Sequence, residues 1–169
     1  HDTDGDHPGF RANHAKGMCV TGSFVANGDG ARLSKTPILA AGQRSAVVGR
    51  VSLAGGMPFQ PDAPGKVRAL GLQIVAPDGT QWRTAMIDLP VFPARDPATF
   101  NGLLQATAPD PATHKPDPAK AGPFIAAHPE TAAALGLIKA HTPSSGFADD
   151  TYRSLNSFTF TDEIGRAHV

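Results

Sequence analysis

The stretch that decides the fold and the chemistry of this chain is Arg11-Ala12-Asn13-His14-Ala15-Lys16-Gly17. It leads into a half-apolar run rich in β-branched and aromatic residues, so we predict a first strand over residues 13–26. His14 and Lys16 would then share one face of that strand. Imidazole can take and return a proton near neutral pH. A single histidine at a strand start is more often structural than catalytic, and the stretch alone leaves both interpretations open.

Short turns follow this strand and separate further strand patterns. We predict strands over residues 46–53, 67–75 and 81–89, and a fifth over residues 154–161. Strands joined by turns this short favour an antiparallel meander. Residues 166–169 resemble the start of another strand.

Helix-start signals occupy the segment between the fourth and fifth strands. The tripeptide Asp-Pro-Ala occurs at Asp96, Asp110 and Asp117, and aspartate followed by proline is typical of a helix N-terminus. We therefore predict helices over residues 97–106 and 118–127, and a third from His128 to about Lys139. Strands, then helices, then strands again indicate an α+β fold.

The amino-acid composition limits the classes of function that the chain can have. The 169 residues fit one domain, and 15 Lys+Arg balance 15 Asp+Glu, which gives no electrostatic reason to expect nucleic acid or an anionic membrane as partner. Cys19 is the only cysteine, so no internal disulfide can form. Residues 1–9 are polar and predicted to be a flexible tail, whose histidines and aspartates match no metal-site spacing. Because the chain begins at His1, we expect a processed product or a fragment.

A series of collinear segments carries a resemblance to a known family. Arg11-x-x-His14-Ala15-Lys16-Gly17 resembles the distal-histidine segment of the haem catalases, and Gly49-Arg50-Val51-Ser52 is similar to that family's Arg-x-Ser strand. Residues 90–100 are similar to its Pro-x-Phe…Arg-Asp-Pro-x-x-Phe segment, and residues 128–131 and 154–160 complete the series. Asn13 and the loop at residues 110–120 are most similar to the small catalase-related peroxidases.

The resemblance implies a fold, a cofactor and an activity. The fold would be a catalase-like antiparallel β-barrel with inserted helices, incomplete in this chain, so that residues 1–169 form one truncated domain. The activity would be that of a haem-dependent peroxidase that reduces hydrogen peroxide with a small organic reductant, with weak catalase activity. Haem b would be the cofactor. Because small relatives are often exported, we expect a periplasmic location, with the cytoplasm as the alternative, and we also expect a homo-oligomer.

The resemblance also assigns roles residue by residue. His14 would be the distal acid–base that moves a proton between the peroxide oxygens, and Ser52 would hydrogen-bond the other imidazole nitrogen. Arg11 and Arg50 would pair with the haem propionates. Two aromatic residues, Phe92 and Phe100, would pack on the distal face of the haem, although plain core packing explains them nearly as well.

Three departures from the family pattern qualify these roles. Ile87 occupies the position of the family's distal asparagine, and strand alternation would point Asp88 to the other face. Asn13 stands where typical catalases have valine. Tyr152 does not match the Arg-x-x-x-Tyr iron-ligand segment, since Ala148 lies four residues before it, so we expect the proximal tyrosine beyond Val169. The alternative function is a non-catalytic barrel module or an inactive fragment without the proximal ligand, and Ile87 is its best support.

Overall fold

One antiparallel sheet organises the structure. The computed structural model describes residues 4–63, 65, 67–110, 112–113 and 115–168. Its sheet runs in the order β1-β2-β3-β4-β5, every neighbouring pair antiparallel, which confirms the predicted meander. The strands are β1 (Gly17–Val25), β2 (Arg44–Leu53), β3 (Arg68–Val75), β4 (Gln81–Ile87) and β5 (Arg153–Ser154). Two short 3₁₀ helices, Asp29–Arg32 and Pro37–Leu39, lie between β1 and β2.

Three helices follow β4 where the sequence predicts them. They are α1 (Pro97–Ala106), α2 (Pro118–Ala127) and α3 (Pro129–Ala140). The carboxylate of Asp96 accepts a hydrogen bond from the Thr99 amide at 2.7 Å, and that of Asp117 accepts one from the Ala119 amide at 2.9 Å. The aspartates therefore cap α1 and α2, which explains why the Asp-Pro-Ala signal locates both helix starts.

The first strand begins later than predicted. β1 starts at Gly17, not at residue 13, because His14 has a φ of 54°. A residue in this left-handed conformation interrupts an extended chain. His14 therefore precedes the strand and does not follow its alternation of faces, so the predicted shared face with Lys16 is wrong.

The predicted fifth strand over residues 154–161 is also wrong. Only Arg153 and Ser154 pair with β4. The Ser154 hydroxyl donates to the carbonyl of Asn156 and accepts from its amide, and these local bonds turn the chain away from the sheet. Downstream, β6 (Phe160–Thr161) pairs with β7 (Ala167–His168) in a separate two-stranded ribbon.

The sheet separates the core from the opposite face. Ile38, Ile74 and Ala76 form a buried cluster, with Val47 and Trp82 packed against it. Val47 pairs with Ile74, and Ile74 with Trp82, so these side chains share one face of the sheet. By alternation along β2, the even-numbered residues at its C-terminal end lie on the other face, where the candidate site is built. Among the described strands the sheet does not close, and an incomplete barrel stays a prediction.

The described part of the N-terminal segment contacts the loop after β2. An Asp4 carboxylate oxygen accepts a hydrogen bond from the Gly56 amide at 2.8 Å, and the rings of Phe10 and Phe59 meet edge to face with centroids 5.5 Å apart. The flexibility of the tail stays a prediction. No helix within the described ranges is long and apolar enough to cross a membrane, and no group of three or more described His, Cys, Asp or Glu side chains could hold a metal ion.

Candidate active site

His14 and Ser52 form the centre of the candidate site. The Ser52 hydroxyl and Nδ1 of His14 are 3.2 Å apart, which leaves Nε2 on the other side of the ring. Ser52 is only 5% exposed, and its place in β2 opposite Gly17 brings it to the segment that carries His14. The hydrogen bond that the resemblance implies for Ser52 is therefore present in the structure. Its catalytic role stays a prediction.

The segment that follows His14 is attached to β2 and to the loop after it. The Leu53 amide donates to the carbonyl of Lys16 at 3.1 Å. The ammonium of Lys16 donates to the carbonyl of Gln60 at 2.6 Å and forms an ion pair with Asp62 at 2.9 Å. These bonds reach 37 to 46 residues along the chain, so the position of His14 depends on tertiary structure.

Two guanidinium groups share a cavity of about 150 Å³ with His14 and Ser52. Arg50 donates from Nη2 to the carbonyl of Ala15 at 3.1 Å, and Arg11 lines the same cavity. A Cβ at position 17 would lie 2.5 Å from the carbonyl oxygen of Val51 and 2.6 Å from Cζ of Arg50, so glycine is required where β1 approaches the backbone of β2 and the guanidinium. Both predicted propionate-binding residues are thus placed beside His14.

The electrostatics keep the imidazole neutral. Burial lowers the pKa of His14 below its ordinary value of 6.5, and the positive charges of Arg11 and Arg50 lower it further, while a hydrogen bond with the Leu53 backbone acts in the opposite direction. A neutral imidazole can accept a proton, so His14 is in the form that an acid–base group needs at neutral pH.

Ile87 faces the same cavity, as the sequence predicts. Ser52 pairs with Ala69, and Ala69 pairs with Ile87, so the three side chains form one row across the sheet. Ile87 is 5% exposed and lines the cavity with His14. Asp88 belongs to a different environment: its carboxylate accepts from the Arg68 amide at 2.9 Å and lies 3.2 Å from Nε2 of His141. It therefore does not replace the missing asparagine.

A second, apolar cavity of about 320 Å³ lies on the other side of His14 and Ile87. The rings of Phe92 and Phe100 line it, with centroids 5.1 Å apart. Sequence reasoning missed its other apolar contributors, which come from four separate segments: Ala54, Val67, Leu89, Pro93, Ile138 and Leu155. Leu155 lines both cavities, because its amide donates to the carbonyl of Ala85 at 3.1 Å and holds it beside β4. The turn at Ser154 that places it has no clear sequence signal.

The residues around the first cavity supply the positive charges and the apolar surface that a planar apolar group with two carboxylates would need. Its floor is made by the small residues Ala69, Gly71 and Ala85, and a Cβ added at Gly71 would meet nothing within 4 Å. The two guanidinium groups provide charge-assisted partners for the carboxylates. Tyr152 provides no iron ligand: its hydroxyl donates to the Phe147 carbonyl at 2.9 Å, and burial followed by the charges of Asp150 and Asp88 raises its pKa to about 12.

The comparison with family sequences decides the classification. The sequence model of the catalase family matches residues 8–168. The chain belongs to the catalase family. It is 36% identical over 167 residues to a catalase-related peroxidase of Synechococcus elongatus, covering 99% of this chain and 49% of the relative. It is 30% identical over 166 residues to a catalase-related peroxidase of Mycolicibacterium paratuberculosis, covering 98% of this chain and 51% of the relative. The chain thus spans about half the length of these relatives.

Solved structures support the same fold. A bacterial catalase superimposes with a TM-score of 0.77 at 19% identity, over 94% of this chain and 31% of that structure. A fungal catalase gives a TM-score of 0.77 at 20% identity, over 94% and 32%. The described strands and helices of this catalase-family chain therefore have the arrangement found in part of the catalase fold.

Proposed function

We propose that the full-length protein is a haem-dependent peroxidase that reduces hydrogen peroxide to water with a small organic reductant. The observation that carries this proposal is the His14–Ser52 hydrogen bond in a cavity shared with two arginines. The catalase-related peroxidases among the relatives support the same chemistry and do not favour a non-catalytic module. Haem b as the cofactor, weak catalase activity, a homo-oligomer and a periplasmic location belong to the proposal as well.

The side chains of this chain hold the cofactor and move protons. Arg11 and Arg50 would bind the haem carboxylates, and Phe92 and Phe100 would keep water away from the reacting oxygens. Haem, when bound, would supply the two electrons that break the O–O bond, and two electrons and two protons from the organic reductant would restore it and release the remaining oxygen as a second water. Nε2 of His14 accepts a proton from one peroxide oxygen and returns it to the other as the O–O bond breaks, so that the leaving oxygen departs as water. Ser52 fixes the imidazole orientation through Nδ1.

Peroxide-dependent oxidation of a phenolic reductant by the full-length, haem-loaded protein tests this function. Omitting the phenol and following oxygen release separates catalase from peroxidase activity. A full-length protein that binds haem but shows neither activity would overturn the proposal. Two sets of variants then probe the residues around His14.

Ile87→Asn is expected to raise peroxide turnover by roughly tenfold. Ile87 shares the row of Ser52, so a side-chain amide there can donate a hydrogen bond to peroxide as charge develops on its leaving oxygen. A well-placed donor of this kind contributes on the order of 10²-fold, and the apolar surroundings reduce the gain. Ile87→Leu changes the shape of the side chain without adding a donor. An equal gain in both variants would show that the amide is not responsible.

Arg11→Gln is expected to move the acid limb of the pH–rate profile to higher pH. His14 must be neutral to accept a proton, so activity falls as pH drops through its pKa. The charge of Arg11 helps to lower that pKa, and its removal lets the pKa rise toward 6.5. The profile of kcat/KM for peroxide measures the shift in the free enzyme. Arg32→Gln removes an exposed arginine outside the site and serves as the control. If the acid limb moves equally in this variant, the change in net charge is responsible and not the loss of Arg11 from the site.

A further inference from the structure

The backbone of His14 is the unusual feature of the site. Among the described residues other than glycine, it alone has a positive φ, at 54°. This conformation costs an ordinary residue of order 1–3 kcal/mol and persists where the surroundings impose it. Nothing in the family resemblance explains what imposes it here, so the contacts of the neighbouring residues are decisive.

Asn13 and Ala15, the residues on either side of His14, both form hydrogen bonds with Gly55. We call these bonds the bracket around His14. The side-chain oxygen of Asn13 accepts the His14 amide at 2.8 Å and the Gly55 amide at 3.0 Å. The Ala15 amide donates to the Gly55 carbonyl at 3.1 Å. Gly55 itself has a φ of +97°, which favours glycine at this turn. The chain is therefore attached to one residue, Gly55, both before and after His14.

We infer that Asn13 is a positioning residue for His14. Its amide oxygen replaces the backbone acceptor that the His14 amide would have in a strand, and it ties the residue before His14 to the turn after β2. The bracket keeps His14 left-handed, and this backbone directs Nδ1 to Ser52. Both Asn13 bonds are exposed to water, so their loss changes the conformation of His14 more than the stability of the fold. The inference rests on the proposed role of His14 as acid–base.

Asn13→Ala in the full-length, haem-loaded protein tests the inference. We expect kcat to fall roughly tenfold with the KM for peroxide unchanged, since the acid–base group is misplaced while peroxide still binds. Asn13→Asp keeps an oxygen acceptor and should restore kcat on the alkaline plateau. Its added negative charge raises the pKa of His14, so its acid limb moves to higher pH. Crystal structures of both variants provide a readout independent of activity: φ of His14 and the distance from Nδ1 to Oγ of Ser52.

A matched control removes a similar bond far from the site. Asn27 accepts the Asp29 amide through its side-chain oxygen at 3.0 Å, also at an exposed position. Asn27→Ala is expected to leave kcat and the geometry of His14 unchanged and to lower Tm about as much as Asn13→Ala does. An Asn13→Ala structure that retains the left-handed His14 and its 3.2 Å distance to Ser52 would overturn the inference. The structure of the Asn13→Ala variant tests the positioning role of Asn13 even if His14 proves not to be the acid–base group. The positioning role and the proposed function can therefore be refuted independently.

Discussion

Replacing His14 by alanine is expected to lower peroxide-dependent turnover of the full-length, haem-loaded protein by about 10²- to 10⁴-fold. His14 is the titratable group that shares both cavities with Ile87, and burial and the two arginines lower its pKa so that it is ready to accept a proton. The haem should stay bound, because the arginines and the apolar side chains are unchanged. Steady-state oxidation of a phenol measures turnover, and the haem absorption spectrum measures occupancy in the same sample.

Two further variants make this result specific. Ser52→Ala removes the hydroxyl that orients the imidazole and should cost less than loss of the imidazole itself. His128→Ala removes a histidine whose Nδ1 is 2.8 Å from the Phe124 carbonyl and which lines neither cavity. Turnover of the His128 variant should match the wild type. A fully active His14→Ala protein would show that the proton is carried by another group.

Asp150→Ala is expected to reduce the free energy of unfolding by about 3–5 kcal/mol. Asp150 and Arg68 form an ion pair at 3.0 Å, with side chains only 3% and 9% exposed, and Ser144 completes the network by donating to the carboxylate. Removal of the acid leaves the Arg68 charge buried without its partner, and this cost dominates. Urea unfolding of the full-length protein, followed by tryptophan fluorescence, measures the change.

An exposed ion pair provides the contrast. Asp62→Ala breaks the pair with Lys16, whose side chains are 34% and 63% exposed, and should cost less than about 1 kcal/mol. The double variant Arg68→Met/Asp150→Leu removes both buried charges and should be more stable than Asp150→Ala. If Asp150→Ala, Asp62→Ala and the double variant all unfold at the same urea concentration, the buried ion pair does not contribute to stability in this way.

The network of Arg68, Asp150 and Ser144 also predicts that the stability of the fold depends on pH under acidic conditions. Burial acts to raise the pKa of Asp150, but hydrogen bonds from Ser144 and Arg68 outweigh it, and the pKa lies below its ordinary value of 3.8. A carboxyl group whose pKa is lower in the folded than in the unfolded state stabilises the fold at pH values above its unfolded-state pKa. This stabilisation is lost as the pH falls through the folded-state pKa. The stability difference between wild type and Asp150→Asn should therefore narrow below pH 3.8.

Local signals were sufficient for much of the fold. α1 and α2 have the predicted bounds, and their starts are predictable because the caps at Asp96 and Asp117 involve only neighbours in sequence. The alternation of β2 to β4 likewise places Ile87 on the same face of the sheet as Ser52. Residues 154–161 misled the prediction because their aromatic content is typical of a strand, whereas pairing needs a partner and the Ser154 turn removes it.

The arrangement of the site was less accessible to sequence reasoning. His14 was placed inside a strand because its left-handed backbone depends on Gly55, 41 residues away. The sequence does not predict Leu155 at the site because its position depends on the pairing of β5 with β4 and on its backbone bond to Ala85. Neither contact leaves a periodic pattern in the sequence, since each joins segments that meet only in the folded chain.

The bracket around His14 has an evolutionary consequence. Because the loop after β2 holds the backbone on either side of His14 while the sheet holds Ser52 and Ile87, substitutions or short insertions in residues 55–62 can alter the orientation and pKa of the acid–base group without disturbing strand register. Substitutions that accumulate in that loop would then change the reactivity of His14, while selection for stability acts mainly on the core. A library confined to residues 55–62 should yield variants of the full-length protein whose turnover varies more widely than their melting temperature.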